Sequence, residues 1–251
     1  YAGGPTTNSN PVITTNVEPR LGIVKTFSTN VADAGDVLTV SLAVSNTGLA
    51  TAYDVVVTDH LSVAYFDAAT VTNFLMNGSA PTGYVLGVTG TTVYIYSDPA
   101  SAQPTNTLET NEVVVFRFDV AVSENARPSS TATNIAAIQA WTLSGTGSQE
   151  RLEPRVASTN TFSIPVVGLS KSLWGSSETN VVDSTGANLQ VGERVTYALT
   201  VTLPEGTVSN LALTDNIPFG QLYVTNRLET NGYAGLLPTP PVVTGGATGG
   251  A

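Results

Sequence analysis

The chain has 251 residues, with nine basic against 19 acidic side chains and a net charge of −10. Without clustered Lys or Arg it has no means of displacing counterions from a polynucleotide or an anionic bilayer, so neither is an expected partner. Cysteine is absent, which rules out disulfides and zinc-thiolate sites, and no run of about 20 apolar residues is present to span a membrane.

The chain opens at Tyr1 with no Met and no signal-peptide pattern, as a processed or excised piece would. Residues 1–18 align with "GSQERLEPRVASTNTFSI" further on, so they are expected to be the tail of a preceding repeat or an exchanged strand. Next comes "PRLGIVK", ending at Lys25. Leu38, Val40, Leu42 and Val44 then alternate with Thr39, Ser41, Ala43 and Ser45. A similar alternation runs through Val114, Phe116, Phe118, Val120 and Val122, and another through Val195, Tyr197, Leu199, Val201 and Leu203. Period-two runs separated by Gly, Pro, Asn and Ser predict antiparallel sheets, and no helical stripe of useful length competes with them. Short strands with frequent turns predict an all-β, Ig-like sandwich.

The chain also repeats. Pro19, Gly22 and Lys25 recur as Pro165, Gly168 and Lys171, each displaced by 146 positions, and these two lysines are the only ones in the sequence. Gly35 and Asp36 match Gly192 and Glu193, each pair opening an alternating strand, and "DVVVTDHLS" with Asp59 matches "NLALTDNIP" with Asp215. The second copy carries an insertion, "SSETNVVDSTGAN", between its lysine and its glycine. Ala251 aligns near Ile95 of the first copy, so the second copy lacks a counterpart of "TATNIAAIQAW". The expected organisation is an N-terminal segment at 1–18, one Ig-like repeat at 19–163 and a partial repeat at 164–251. This makes tandem sandwiches of which the second is incomplete, cut from a longer array or completed by a neighbouring chain through strand addition.

The stretch "VKTFSTNVADAGDVLTVSLAVSNTGLATAYDVVVTDHLS", followed by "TNIAAI", resembles the conserved-repeat Ig-like module called domain of unknown function eleven, itself related to isopeptide-forming fimbrial domains of bacterial surface proteins. The first copy departs from that pattern at "HLS", where Leu-Pro would stand. The second has "TLPEGT" in place of "SNTG". The resemblance implies a structural module of a secreted or cell-surface repeat protein: a stalk, sheath, surface layer or extracellular filament. It implies no enzyme, no cofactor, and other copies or neighbouring repeats as partners. The alternatives are an adhesin contacting glycan or host protein, or a non-catalytic domain of a large secreted enzyme.

In the related fimbrial domains a lysine is joined to an asparagine with help from a buried acid. Carried over, Lys25 would be the amine, Asp59 the acid and Asn134 the electrophile, with Lys171 and Asp215 the matching residues of the second copy. Burial disfavours an ammonium and a carboxylate alike, leaving a nucleophilic amine and a proton-donating acid. Equally, the lysine would snorkel or pair with an acid, Asp59 cap a turn and Asn134 satisfy edge backbone groups. Other candidates are weaker. His60 is the only histidine and reads as a surface residue. Asp33, Asp36 and Asp54 offer oxygens to Ca²⁺, but no Asp-x-Asp-x-Asp-Gly loop is present, so they read as solvated turn acids and no metal is expected. Asn77 opens a glycosylation sequon, and Trp141 and Trp174 read as packing anchors rather than a sugar platform.

Overall fold

The computed structural model describes residues 13–97, 106–144, 150–178, 188–206, 208, 211–217, 220 and 221. No helix occurs among them. In chain order the strands are β1 (Leu21–Phe27), β2 (Val37–Asn46), β3 (Tyr53–His60), β4 (Phe66–Met76), β5 (Tyr84–Thr89), β6 (Thr92–Ser97), β7 (Val113–Val122), β8 (Thr131–Trp141), β9 (Val156–Ser163), β10 (Gly168–Ser176) and β11 (Val195–Thr202).

One sheet has the order β1-β2-β7-β4 and the other β5-β6-β3-β8-β9, with every ladder antiparallel. The A-B-E-D and C-F-G sheets of an immunoglobulin sandwich have this pairing. The β5–β6 hairpin widens the second sheet beyond β3. The fold is therefore an Ig-like β-sandwich, and the alternation in the sequence shows why: Leu38, Val40, Leu42 and Val44 of β2 and Val114, Phe116, Phe118, Val120 and Val122 of β7 are buried, while the residues between them face outward. Val55, Val57, Val93, Ile95, Ala132, Ala136 and Ile138 close the core from the opposite sheet.

β1 and β9 are edge strands of different sheets that lie side by side. The backbone N–H of Lys25 donates to Ser158 Oγ (3.0 Å), Asn160 Nδ2 donates to the Lys25 carbonyl (2.9 Å), and Val31 forms a parallel bridge with Ser163. Side chains of one edge thus satisfy the backbone of the other, blunting both edges.

Asn46 organises the other end. Its Oδ1 accepts from the N–H groups of Arg20 and Gly48 (2.9 Å each), and its Nδ2 donates to the carbonyls of Ala50 (2.8 Å) and Leu108 (2.9 Å). The residue is fully buried, so Asn46→Ala strands several backbone groups at once. The expected cost is about 2 kcal/mol, read as a fall of roughly 6 °C in a thermal melt.

β10 and β11 form a separate two-stranded ladder. Its register repeats that of β1 and β2: Lys25 faces Leu42 as Lys171 faces Leu199, and Gly22 faces Ser45 as Gly168 faces Thr202. A compact unit ends at Val208, and the described residues beyond it, 211–217 with 220 and 221, carry no strand. The Asp215 segment therefore lacks the ladder that its counterpart β3 forms with β6 and β8. Residues 1–12 of the N-terminal segment lie outside the described residues, and 13–20 are not in a strand.

Candidate functional site

Lys25, Asp59 and Asn134 occupy inward positions on three strands, where the alternation would otherwise place apolar side chains. On β1 the inward residues are Ile23, Lys25 and half-buried Phe27; on β3 they are Val55, Val57 and Asp59; on β8 they are Ala132, Asn134 and Ala136. The short alanines on either side of Asn134 leave room for the long lysine stem arriving from the facing sheet. All three polar residues are at most 2% exposed.

Lys25 Nζ donates to Asp59 Oδ2, and the pair is fully shielded from solvent. Asn134 Nδ2 donates to the His60 carbonyl (2.6 Å), which fixes which end of the carboxamide is nitrogen. Asp59 Oδ1 and Asn134 Oδ1 are buried acceptors with no hydrogen-bond partner. The Phe27 ring lies 5.1 Å from the lysine nitrogen, and Phe27, Phe66 and Phe162 pack edge to face or tilted with centroids 5.4–6.0 Å apart. The site is thus dry on its aromatic side.

Burial governs the electrostatics. It pushes the Lys25 amine below its ordinary value against the opposing pull of Asp59. It also pushes the Asp59 carboxyl up, against Lys25, the Asn134 amide and His60. Burial thus works against both charges and towards an amine beside a carboxylic acid, while the attraction between Lys25 and Asp59 opposes it. A protonated Asp59 gains a donor, and Asn134 Oδ1 is an acceptor in need of one.

The other sequence candidates fall elsewhere. Lys171 is exposed, with its nitrogen 4.4 Å above the Tyr197 ring, and Asp215 is exposed in the separate C-terminal unit. His60 ends β3 in solvent beside the hydroxyls of Thr91 and Thr92. Asp33 and Asp36 share a turn, where Asp36 Oδ2 accepts from the Asp33 N–H (3.0 Å), and Asp54 is the second residue of β3. Among the described residues no cluster of acids, His or Cys is arranged to hold a metal ion. Asn77 sits in the exposed turn after β4, its Oδ1 accepting from the Val115 N–H (2.9 Å). Trp141 is half-buried at the end of β8, and Trp174 is 77% exposed. Tyr94 and Tyr96 are exposed side by side on β6 over Gly87, on a sheet face rather than a loop end.

Sequence reading missed the His60 carbonyl that orients Asn134 and the Phe27, Phe66 and Phe162 wall. It also missed buried Asn106, whose Nδ2 donates to the Val55 carbonyl (3.3 Å). The wall had one usable signal: Phe27 and Phe162 lie at period two from Lys25 and Asn160 on adjacent edges.

No protein-family model and no curated protein matches the chain. Among solved structures it is similar to a variant of BcpA, the major pilin subunit of Bacillus cereus, at 13% identity over 74% of this chain and 57% of that one, with a TM-score of 0.46. It is also similar to the pilus backbone RrgB of Streptococcus pneumoniae, at 15% identity over 49% of this chain and 31% of that one (TM-score 0.39). A third is a 35 kDa C-terminal fragment of the major pilin GBS80 of Streptococcus agalactiae, at 11% identity over 62% and 58% (TM-score 0.38). The chain spans little more than half of BcpA and under a third of RrgB, and at such identities the likeness is one of fold. No helix among the described residues is long and apolar enough to cross a membrane.

Proposed function

We propose that the chain is a structural module of a secreted or cell-surface repeat protein, such as a stalk, sheath, surface layer or extracellular filament, and that its sandwich locks itself with an amide bond between Lys25 and Asn134. The observation that carries this reading is the enclosure of an amine, a carboxyl and a carboxamide on inward positions of β1, β3 and β8, with Lys25 hydrogen-bonded to Asp59. Three polar groups in a core are costly to keep unless they are used.

Burial favours the state in which Asp59 holds the proton. From that state the lone pair of Lys25 Nζ attacks Cγ of Asn134 while the Asp59 acid donates to the carboxamide oxygen. The tetrahedral adduct passes a proton from Nζ through Asp59 to Nδ2. The Cγ–Nδ2 bond then breaks, ammonia leaves and Asp59 returns to its starting state. Fixing the groups in one dry site replaces a slow bimolecular reaction. The step occurs once per molecule, so it is maturation without turnover, and the chain is not an enzyme. It closes a loop of about 110 residues, worth roughly 4–5 kcal/mol on the loop-entropy account. Lys171 and Asp215 are the matching pair of the second repeat. Neighbouring repeats or other copies of the chain are the partners, joined end to end or by strand exchange.

Intact mass tests the reading. The mature chain is expected to lack one ammonia relative to its sequence, and Asn134→Ala to have its full calculated mass. A mature chain of full mass overturns the amide.

A further inference from the structure

We propose that the loop Leu203–Gly206 is a docking element that seats the β10–β11 module on the end of the preceding sandwich. This inference does not depend on the amide. Thr202 at the end of β11 pairs with Gly168 at the start of β10, so the loop is delivered back to the linker leaving the sandwich. There the Glu205 N–H donates to Asp33 Oδ2 (3.1 Å). The acceptor is held by its own turn: the Gly35 N–H bonds the Val122 carbonyl (3.0 Å), and the Val122 N–H bonds the Asp36 carbonyl (2.8 Å).

Gly206 completes the fit. Its φ of +102° is one that L side chains rarely adopt. A Cβ there would stand 2.9 Å from Ala34 Cβ and 3.3 Å from the Ala126 carbonyl oxygen. Ala34 and Ala126 are buried, so the receiving surface is a small-residue seat built from the β1–β2 and β7–β8 connections. Pro204 fixes one φ of the loop and lowers the entropy lost on docking.

The same place in the first repeat does something else. There Asn46, Thr47 and Gly48 fold onto their own leading segment: the Thr47 N–H donates to the Arg20 carbonyl (2.9 Å), and the Leu49 N–H to the Glu18 carbonyl (3.0 Å). A Cβ on Gly48 would strike the Glu18 oxygen at 2.3 Å. Ser-Asn-Thr-Gly thus seals a module on itself, whereas Leu-Pro-Glu-Gly reaches its neighbour. The partner this loop fits is a sandwich end that offers an aspartate acceptor beside an alanine and a glycine turn.

Amide hydrogen exchange on the whole chain tests this. The Glu205 N–H is expected to exchange at least about tenfold slower than an open-loop amide. Gly206→Val and Asp33→Ala are each expected to abolish that protection, and Asp33→Asn, which keeps the acceptor, to retain it. The melting temperature of the first sandwich should stay unchanged in all three. Open-loop exchange at Glu205 in the unaltered chain, or protection surviving Gly206→Val, overturns the proposal.

Discussion

Asp59→Ala is expected to leave the chain at its full calculated mass and to lower the stability of the sandwich by about 3–5 kcal/mol beyond the loss of the crosslink. Without the acid, Lys25 remains walled in by the core without its hydrogen-bond partner, and Asn134 loses the donor its oxygen requires. Replacing both members by apolar groups, Lys25→Met with Asp59→Leu, removes the buried polar pair instead of orphaning half of it. That double variant should be at least as stable as Asn134→Ala, which also cannot crosslink, as measured by urea unfolding. If the double variant proves as unstable as Asp59→Ala, burial of the pair is not what costs the energy. The pH response of Asn134→Ala provides a second check. In the folded chain Lys25 sits below its ordinary 10.5 and Asp59 above its ordinary 3.8. As pH rises from about 3.8, folded Asp59 keeps a proton that the unfolded carboxyl has lost, so this group makes stability fall with rising pH until Asp59 itself ionises. As pH rises towards about 10.5, folded Lys25 has already lost a proton that the unfolded amine still holds, so this group makes stability rise with pH. The double variant should lack both slopes.

Phe162→Ala should damage the reaction as well as the fold. The ring is 1% exposed on β9 and packs against Phe27, which covers the lysine nitrogen, and against Phe66. Its loss is expected to cost about 3–5 kcal/mol through the cavity, a fall on the order of 10 °C in Tm. Water reaching the cavity would return charge to Lys25, so a fraction of the purified chains should retain the unreacted mass. Leu108→Ala is the control. It removes a fully buried side chain at the Asn46 end, at about 2–5 kcal/mol, and should leave crosslinking complete. Equal crosslinking in the two variants would mean that the aromatic wall does not keep the site dry.

The strands that sequence pattern revealed best are those with one wet and one dry face. β2 and β7 alternate strictly because they stand mid-sheet over the core. β4 does not, since two register shifts against β7 break its period, and β5 and β6 are only six residues each, so the alternation of Val93 and Ile95 with Tyr94 and Tyr96 is too brief to stand out. Lys25 was legible as a placed residue because lysine is scarce and occupies an inward position. The Asn46 hub was not, because its four partners come from three separate segments and no local pattern encodes them. The two lysines also parted company: they hold equivalent registers, yet only Lys25 is covered by a second sheet, and burial is a property of that sheet rather than of the hairpin. The exchange of "SNTG" for "TLPEGT" was visible as a difference between copies, while its contact with Asp33 spans 172 positions and could be found only in three dimensions.

The side-by-side, parallel course of β1 and β9 has a mechanical consequence. The chain comes in at the Leu21 end and leaves at the Ser163 end, so a pull on the flanking segments shears the two strands past one another and loads their cross-links together. With the amide in place, tension would pass from Lys25 directly to Asn134 and along β8 and β9. The intervening stretch of about 110 residues would carry no load. At roughly 3.4 Å per extended residue, close to 370 Å of chain would then be withheld from stretching, and the module would resist traction as a tether of nearly fixed length.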